Sequence, residues 1–363
     1  MTLSVQRAPA QAGQAIAMDI GGTWFRSARV GADGGLSDRR SAPALSARNH
    51  PEKTAADLRA ALFSYLVAEA RHHADRAPGI GAVGVSMGAA MHHRTGVIWN
   101  SGPLWGACSD PFDLGSALRQ RAPEFDWHVT NDVSAALLAL VTGDGHPVVS
   151  DTCYITVSTG IAARIWSARA GGIVIDDIAG LQGEIGHLPV TATFRGRVLP
   201  LTCDCGGAHH LNAVSSGRGM EAVLEHVRET HPGIAHGLGL AQGGDHITAF
   251  GTALDRDAHF AHDILSTCLR PLAQVVLTMI AANPAIARIH FGGGVLDGLG
   301  PERWRDALIG ELETYGAYQI SERHPAFFNE LVRIVDGGDL GLLGAAQIAT
   351  RGAPVFLSAG GAI

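Results

Sequence analysis

Apolar residues run almost unbroken from Ala15 to Ile20, with Asp19 the one charged position, and this short run predicts a buried strand. Gly21-Gly22-Thr23 predicts a turn, and 24–30 a second strand returning beside the first. The period then changes. Leu58, Ala61, Leu62, Tyr65 and Leu66 recur at helical spacing within 55–74, until Glu69 interrupts the stripe one turn later. A strand is expected at 80–85, a turn at 94–96 and a short helix at 113–119. Residues 127–130 lead into Asn131-Asp132 and an apolar helix at 133–141. A strand at 151–157 enters the glycine turn Ser158-Thr159-Gly160, with strand-like 172–175 beyond it. The last elements are a long helix at 258–282, a strand at 287–291 ending in Gly292-Gly293-Gly294, and a closing helix at 341–350.

Strands and helices alternate throughout, so the fold class is α/β. Two segments, 15–30 and 151–175, open with the same strand, glycine turn, strand order. This weak internal duplication reads as two similar domains facing each other across a cleft. The expected division is a flexible N-terminus at 1–14, a smaller domain at 15–130 joined by the returning 340–363, and a larger domain at 131–339.

Composition narrows the chemistry. Of 27 basic residues in 363, only Lys53 is a lysine. No Gly-rich loop ends in Gly-Lys-Ser/Thr and no Val-Ala-Ile-Lys run exists, which excludes a P-loop and a protein-kinase fold. Lys53 lies in a polar stretch with no apolar pocket, so Schiff-base chemistry is excluded as well. Phosphate must be handled by backbone amides, arginine or a metal. The 47 glycines cluster in tight loops suited to close approach to a ligand. A net charge of -7 argues against a nucleic-acid surface. The absence of an apolar leader or an uninterrupted span of about 18 apolar residues, with five cysteines, places the chain in the cytoplasm, outside the membrane.

Three constellations carry chemistry. In Asp19-Ile20-Gly21-Gly22-Thr23 a carboxylate ending a strand can hold hydrated Mg²⁺, while glycine amides and a threonine hydroxyl reach phosphate; the same residues also make an ordinary hairpin turn. Ser158-Thr159-Gly160 repeats the device. Asn131-Asp132 reads both as a helix cap and as a carboxylate general base held at a helix start. The third is a metal set: Cys203, Cys205, the pair His209-His210, and His187 upstream offer two thiolates and two imidazoles for tetrahedral zinc. Cys108, Cys153 and Cys268 read as core, and His72-His73 and His92-His93 as solvated surface.

Taken in order, Asp19-x-Gly-Gly-Thr23, Asn131-Asp132-x-x-Ala-Ala, Ser-Thr-Gly160, Gly183-Glu184-x-Gly186-His187, Cys203-x-Cys205-Gly206, Gly292-Gly-Gly-Val295 and Asp339-Leu-Gly-Leu-Leu-Gly-Ala-Ala346 resemble the ROK family (repressors, open reading frames, kinases) over roughly 15–350. The resemblance implies two actin-like, ribonuclease-H-like domains closing on ATP and a sugar. It implies that Asp19, Gly21, Gly22 and Thr23 take part of the Mg²⁺-triphosphate, Thr159 and Gly160 another part, and that Gly292, Gly293 and Gly294 line the adenosine. Asp132 becomes the base for the acceptor hydroxyl. Asn100, Asn131, Glu184 and His187 become sugar ligands, with His187 also on a structural zinc. Members are often homodimers.

The departures bear on the acceptor. The family zinc motif Cys-x-Cys-Gly-x-x-Gly-Cys-x-Glu reads here Cys203-Asp-Cys205-Gly-Gly-Ala-His209-His210-Leu-Asn212. His210 stands at the third cysteine and His209 at the glycine, so either histidine is a candidate ligand. Asn212 replaces a glutamate that grips hydroxyls around the anomeric carbon, which points away from plain glucose toward an N-acyl sugar, a ketose or a cyclitol. Ser158, Ala162, Ala163 and Arg164 stand where the family has glycines, with Arg164 expected in solvent. Two rival readings exist: a catalytically weak sugar-binding homologue, and a sugar-responsive regulator. The fourteen residues ahead of the first strand are too few for the regulator's helix-turn-helix.

Overall fold

The computed structural model describes residues 14–106, 108, 110–143, 149–176, 183–241, 244–351 and 356–358. Apart from Gln14, the N-terminus expected to be flexible lies outside the described residues. The chain divides into two compact units, one of 1–149, 164–182 and 337–363, the other of 150–163 and 183–336.

In the first unit five strands lie in the order Leu36–Pro43, Trp24–Val30, Ala15–Ile20, Ala82–Met87, Asp126–Asn131. The first three are antiparallel neighbours and the last two continue the sheet in parallel. Strand Ala15–Ile20 is buried along its whole length because both faces are covered. Its alternate residues Ile16, Met18 and Ile20 share a core with Leu58, Leu62 and Leu66 of helix Ala55–Arg76. Ala15 and Ala17 point the other way, against Leu342, Ala345, Ala346 and Ala349 of the closing helix Leu340–Arg351.

The small residues on that second face let the closing helix come close. A Cβ at Gly84 would lie 1.9 Å from the Ala345 carbonyl oxygen, and one at Gly344 only 1.8 Å from that of Ala135. The closing helix is thus packed directly on strand Ala82–Met87 and helix Asp132–Gly143. This packing gathers 131–149 into the first unit, although the chain order had placed it with the larger domain.

The second unit contains parallel strands Val332–Ile334, Ile286–Gly292 and Asp151–Val157. Its long helix His259–Ala282 is apolar enough to cross a membrane by length and composition. Ile264, Leu265, Cys268, Leu269 and Leu272 are fully buried within it, and it packs on Pro301–Tyr315, as a core helix does. Burial alone pushes the Cys268 thiol up to about 12.

Several elements depart from the expected pattern. The strand following the second glycine turn is Ile161–Ser167, an element hidden by Ala162, Ala163 and Arg164, and 172–175 is the strand after it. Arg164, expected in solvent, is 2% exposed, with its Nε donating to Ser134 Oγ at 3.3 Å. His73 is not surface either. It is fully buried between Asp38, 3.2 Å from Nδ1, and Ser27, 2.9 Å from Nε2, while Ser27 donates to Glu69 and Arg40 pairs with Glu69. Glu69 and His73 therefore break the apolar stripe of their helix because they belong to a buried polar network. His93 is buried as well.

Candidate active site

Sheet register positions the expected residues of the first unit. Asp19 lies opposite Arg26 on one side and Ser86 on the other. Its Oδ2 accepts from the Arg26 guanidinium and its Oδ1 from Ser86 Oγ at 3.1 Å, and the residue is 7% exposed. Arg26 also donates to the Gly338 carbonyl. A Cβ at Gly341 would fall 2.5 Å from Asp19 Oδ1, so the start of the closing helix forms a wall of this carboxylate's niche. The turn after the strand closes by Gly21 N–H donating to the Trp24 carbonyl at 3.1 Å, with Thr23 exposed.

The next strand end carries Asn131 and Asp132, whose side chains make different bonds. Asn131 is 4% exposed; its Oδ1 accepts from the amides of Val133 at 3.0 Å and Ser134 at 3.2 Å, and its Nδ2 donates to Ala89 O at 3.1 Å. That is the helix cap. Asp132 begins helix Asp132–Gly143, its Oδ1 accepting from Val133 N–H at 2.9 Å. The positive end of the helix dipole favours its anionic form. A Cβ at Gly88 would sit 3.3 Å from Asp132 Oδ2, so a side chain at this position would crowd that oxygen. Pro103 lies beside both Gly88 and Gly22, joining the 21–23 turn to the Asp132 carboxylate within one unit. Ser101, which donates to Gly88 O at 2.6 Å, fixes that turn from the other side. Asn100 ends strand Val97–Asn100, exposed, paired with Ala90.

The sequence motifs do not reach Arg26 or Pro103, while Ser86-Met87-Gly88 stands where the resembled family has a Pro-Gly turn. Only the run Asn100-Ser101-Gly102-Pro103, a turn-forming sequence, hinted at Pro103.

The second unit gathers the remaining residues. Thr159 is exposed at the tip of a turn closed by Ser158 N–H to Gly160 O at 2.9 Å. Gly217 N–H donates to Ser158 O at 2.8 Å, which sets the turn against the start of helix Gly217–Thr230. A helix start of this kind suits an anion. Asn212 Oδ1 accepts from Ile161 N–H at 2.8 Å, immediately after the turn. A Cβ at Gly186 would lie 2.3 Å from the same oxygen, so Gly186 makes room for the amide. Gly186 sits in the short helical turn Ile185–His187, closed by His187 N–H to Glu184 O at 3.0 Å. Gly292 ends strand Ile286–Gly292, Gly293 has φ +118°, and Gly294 begins the next short helix.

The metal set assembles without its expected ambiguity. Ligand atoms of His187, Cys203, Cys205 and His210 all lie within 4.8 Å of one another. The two Nδ1 atoms are 3.4 Å apart, Cys205 Sγ is 3.2 Å from His210 Nδ1, and Cys203 Sγ is 3.9 Å from His187 Nδ1. Tetrahedral zinc with bonds of ~2.0 Å to nitrogen and ~2.3 Å to sulfur needs edges of roughly 3.3–3.8 Å, so the donor set fits the ion. His209 is outside the set; its φ of +58° is the left-handed backbone that a glycine would take there. Burial and the adjacent Cys205 hold the Cys203 thiol above its usual range, a proton that a bound metal would displace. A second group, Asp38 with His72 and His73, is less suited to a cation, because Arg29 lies 3.7 Å from the Asp38 carboxylate.

These two units have the actin-like, ribonuclease-H-like α/β fold. A ROK hexokinase from Thermus thermophilus aligns over 93% of this chain and 98% of its own, with a TM-score of 0.65 at 22% identity. The chain belongs to the ROK family, whose model matches residues 15–351. Among characterised relatives, a 2-epi-5-epi-valiolone 7-kinase from Actinoplanes sp. is 38% identical over 94% of both chains. A C(7)-cyclitol 7-kinase from Streptomyces hygroscopicus subsp. jinggangensis is 30% identical over 93% of this chain and 95% of its own.

Proposed function

We propose that this chain transfers the γ-phosphoryl group of ATP to the exocyclic 7-hydroxyl of a C7-cyclitol. It is a kinase of the sugar and cyclitol class, as its family and its relatives at 38% and 30% identity are. The observation that carries the reading is Asp132: a carboxylate at a helix start, with a glycine beside its Oδ2 and the capping bonds to Val133 and Ser134 made by Asn131.

In this reading the acceptor oxygen attacks the γ-phosphorus, the bond from that phosphorus to the ADP oxygen breaks, and the hydroxyl proton passes to Asp132. Asn131 acts as a positioning residue for that base, since its amide is committed to the helix start and Ala89. Asp19 and the Gly21, Gly22, Thr23 turn would hold Mg²⁺, a hard cation suited to their oxygen donors. The ion supplies charge neutralisation on the triphosphate. Arg26 balances the Asp19 carboxylate, the task for which no lysine is available. Thr159 and Gly160 meet phosphate oxygens beside the start of helix Gly217–Thr230, and Gly292, Gly293 and Gly294 line the adenosine. Asn100, Glu184 and His187 hydrogen-bond the cyclitol, His187 through Nε2, because its Nδ1 faces the metal set.

Cys203, Cys205, His187 and His210 hold one structural zinc, which fixes the His187 ring. Metal analysis of protein purified without chelators is expected to give about one zinc per chain, and Cys205→Ser well under half of that. A metal-free parent would remove the zinc. The reading places the enzyme in the cytoplasm, as a homodimer with no nucleic-acid partner.

The position of transfer is tested by phosphorus NMR of the product from ATP, Mg²⁺ and 2-epi-5-epi-valiolone. Coupling to two protons on the exocyclic carbon is expected. Coupling to a ring proton would contradict the assignment.

A further inference from the structure

The amide of Asn212 has its orientation fixed by the chain itself. A backbone N–H can only donate, so the atom 2.8 Å from Ile161 N must be the carbonyl oxygen Oδ1. That oxygen also lies 2.3 Å from where a Cβ on Gly186 would be, so the amide is fixed with Oδ1 toward 161 and 186 and the NH₂ group as its other branch. Nδ2 has no hydrogen-bond partner among the described residues and is not a buried orphan. The Cβ position of Gly160 is 3.9 Å from Nδ2 and that of Gly186 only 2.6 Å from Cγ. The amide therefore stands where the 158–160 turn meets the Glu184–His187 turn, which are respectively the phosphate and acceptor sides of the proposed site.

We propose that Asn212 is a specificity-determining residue that donates a hydrogen bond from Nδ2 to a carbonyl oxygen on the acceptor ring, selecting a keto-cyclitol over the corresponding polyol. The inference rests on the kinase reading above. A ketone oxygen can only accept, so it complements a group that can only donate. A hydroxyl brings a proton of its own, and a site that presents a second acceptor would suit it better. An asparagine held by Oδ1 thus encodes a preference that an aspartate in the same place would reverse.

The test is the isosteric Asn212→Asp. One carboxylate oxygen keeps the Ile161 N–H bond, and the other replaces the NH₂ donor. Steady-state ADP release is measured on 2-epi-5-epi-valiolone and on the polyol obtained by reducing its carbonyl, at saturating ATP. The ratio of kcat/KM, ketone over polyol, is expected to fall at least about tenfold in the variant, with the thermal midpoint and the KM for ATP unchanged. An equal change on both acceptors, or one confined to the KM for ATP, would overturn the proposal, since a purely structural or phosphate-binding amide acts alike on every acceptor. If the aspartate disturbs folding, Asn212→Ala, which deletes the donor, must cost the ketone more than the polyol, and equal losses count against it. A parent enzyme that releases no ADP with any acceptor would refute the kinase reading itself, a different outcome from an active parent with an unaltered ratio.

Discussion

Asp132→Asn is expected to lower kcat by about 10²–10⁴-fold, the usual contribution of a positioned general base, while leaving substrate KM values within about threefold. The substitution is clean here for a structural reason. Asn131, not Asp132, caps the helix with bonds to Val133 and Ser134. An asparagine at 132 keeps an oxygen for Val133 N–H, so the thermal midpoint should hold within a degree or two. The measurement is steady-state ADP release with saturating ATP and cyclitol, paired with a melting curve. A variant retaining more than about a third of parental kcat would show that Asp132 is only another residue of the helix start.

Gly344→Ala is the second large effect, and it acts through packing. The added Cβ would meet the Ala135 carbonyl oxygen at 1.8 Å, a backbone atom that cannot rotate away. The closing helix must therefore lift off helix Asp132–Gly143 by more than an ångström, losing contacts of Leu342, Ala345 and Ala349 with the sheet. Overpacking of this kind costs ~1–3 kcal/mol and sometimes more. At the upper end the thermal midpoint falls by roughly 6–12 °C. Activity should suffer too, since Gly341 on the same helix walls the Asp19 carboxylate. A midpoint within 2 °C of the parent would mean that the helix accommodates the methyl group and that this close approach is not structural.

The central strands and the glycine turns were legible in the sequence because they are unusual locally: a fully covered strand reads as an apolar run, and a turn that meets a ligand reads as paired glycines. Edge elements were not. Strand Leu36–Pro43 is largely exposed and carries Arg39 and Arg40, so its pattern is that of a loop. His73 and Arg164, expected in solvent, and Glu69, read only as a break in the stripe, share the converse reason. Each is charged or titratable and each is buried against a partner distant in sequence, which periodicity does not register. The doubled meaning of Asn131-Asp132 could not be divided by spacing, because a cap and a base both belong at a helix start. The bonds of Asn131 to Val133 and Ser134 show only which residue caps the helix. That His210, and not His209, lies within reach of Cys203, Cys205 and His187 follows from how the 203–210 loop folds back, which residue spacing does not register.

The central claim, that the acceptor is a C7-cyclitol and not a common hexose, is tested most directly by competition. Equimolar 2-epi-5-epi-valiolone, glucose and N-acetylmannosamine are offered together with limiting ATP and Mg²⁺, and the three phosphorylated products are quantified by mass. The account predicts the cyclitol phosphate in at least about a hundredfold excess over either hexose phosphate, a margin of ~2.7 kcal/mol in transition-state binding. Glucose phosphate or N-acetylmannosamine phosphate as the major product would contradict it.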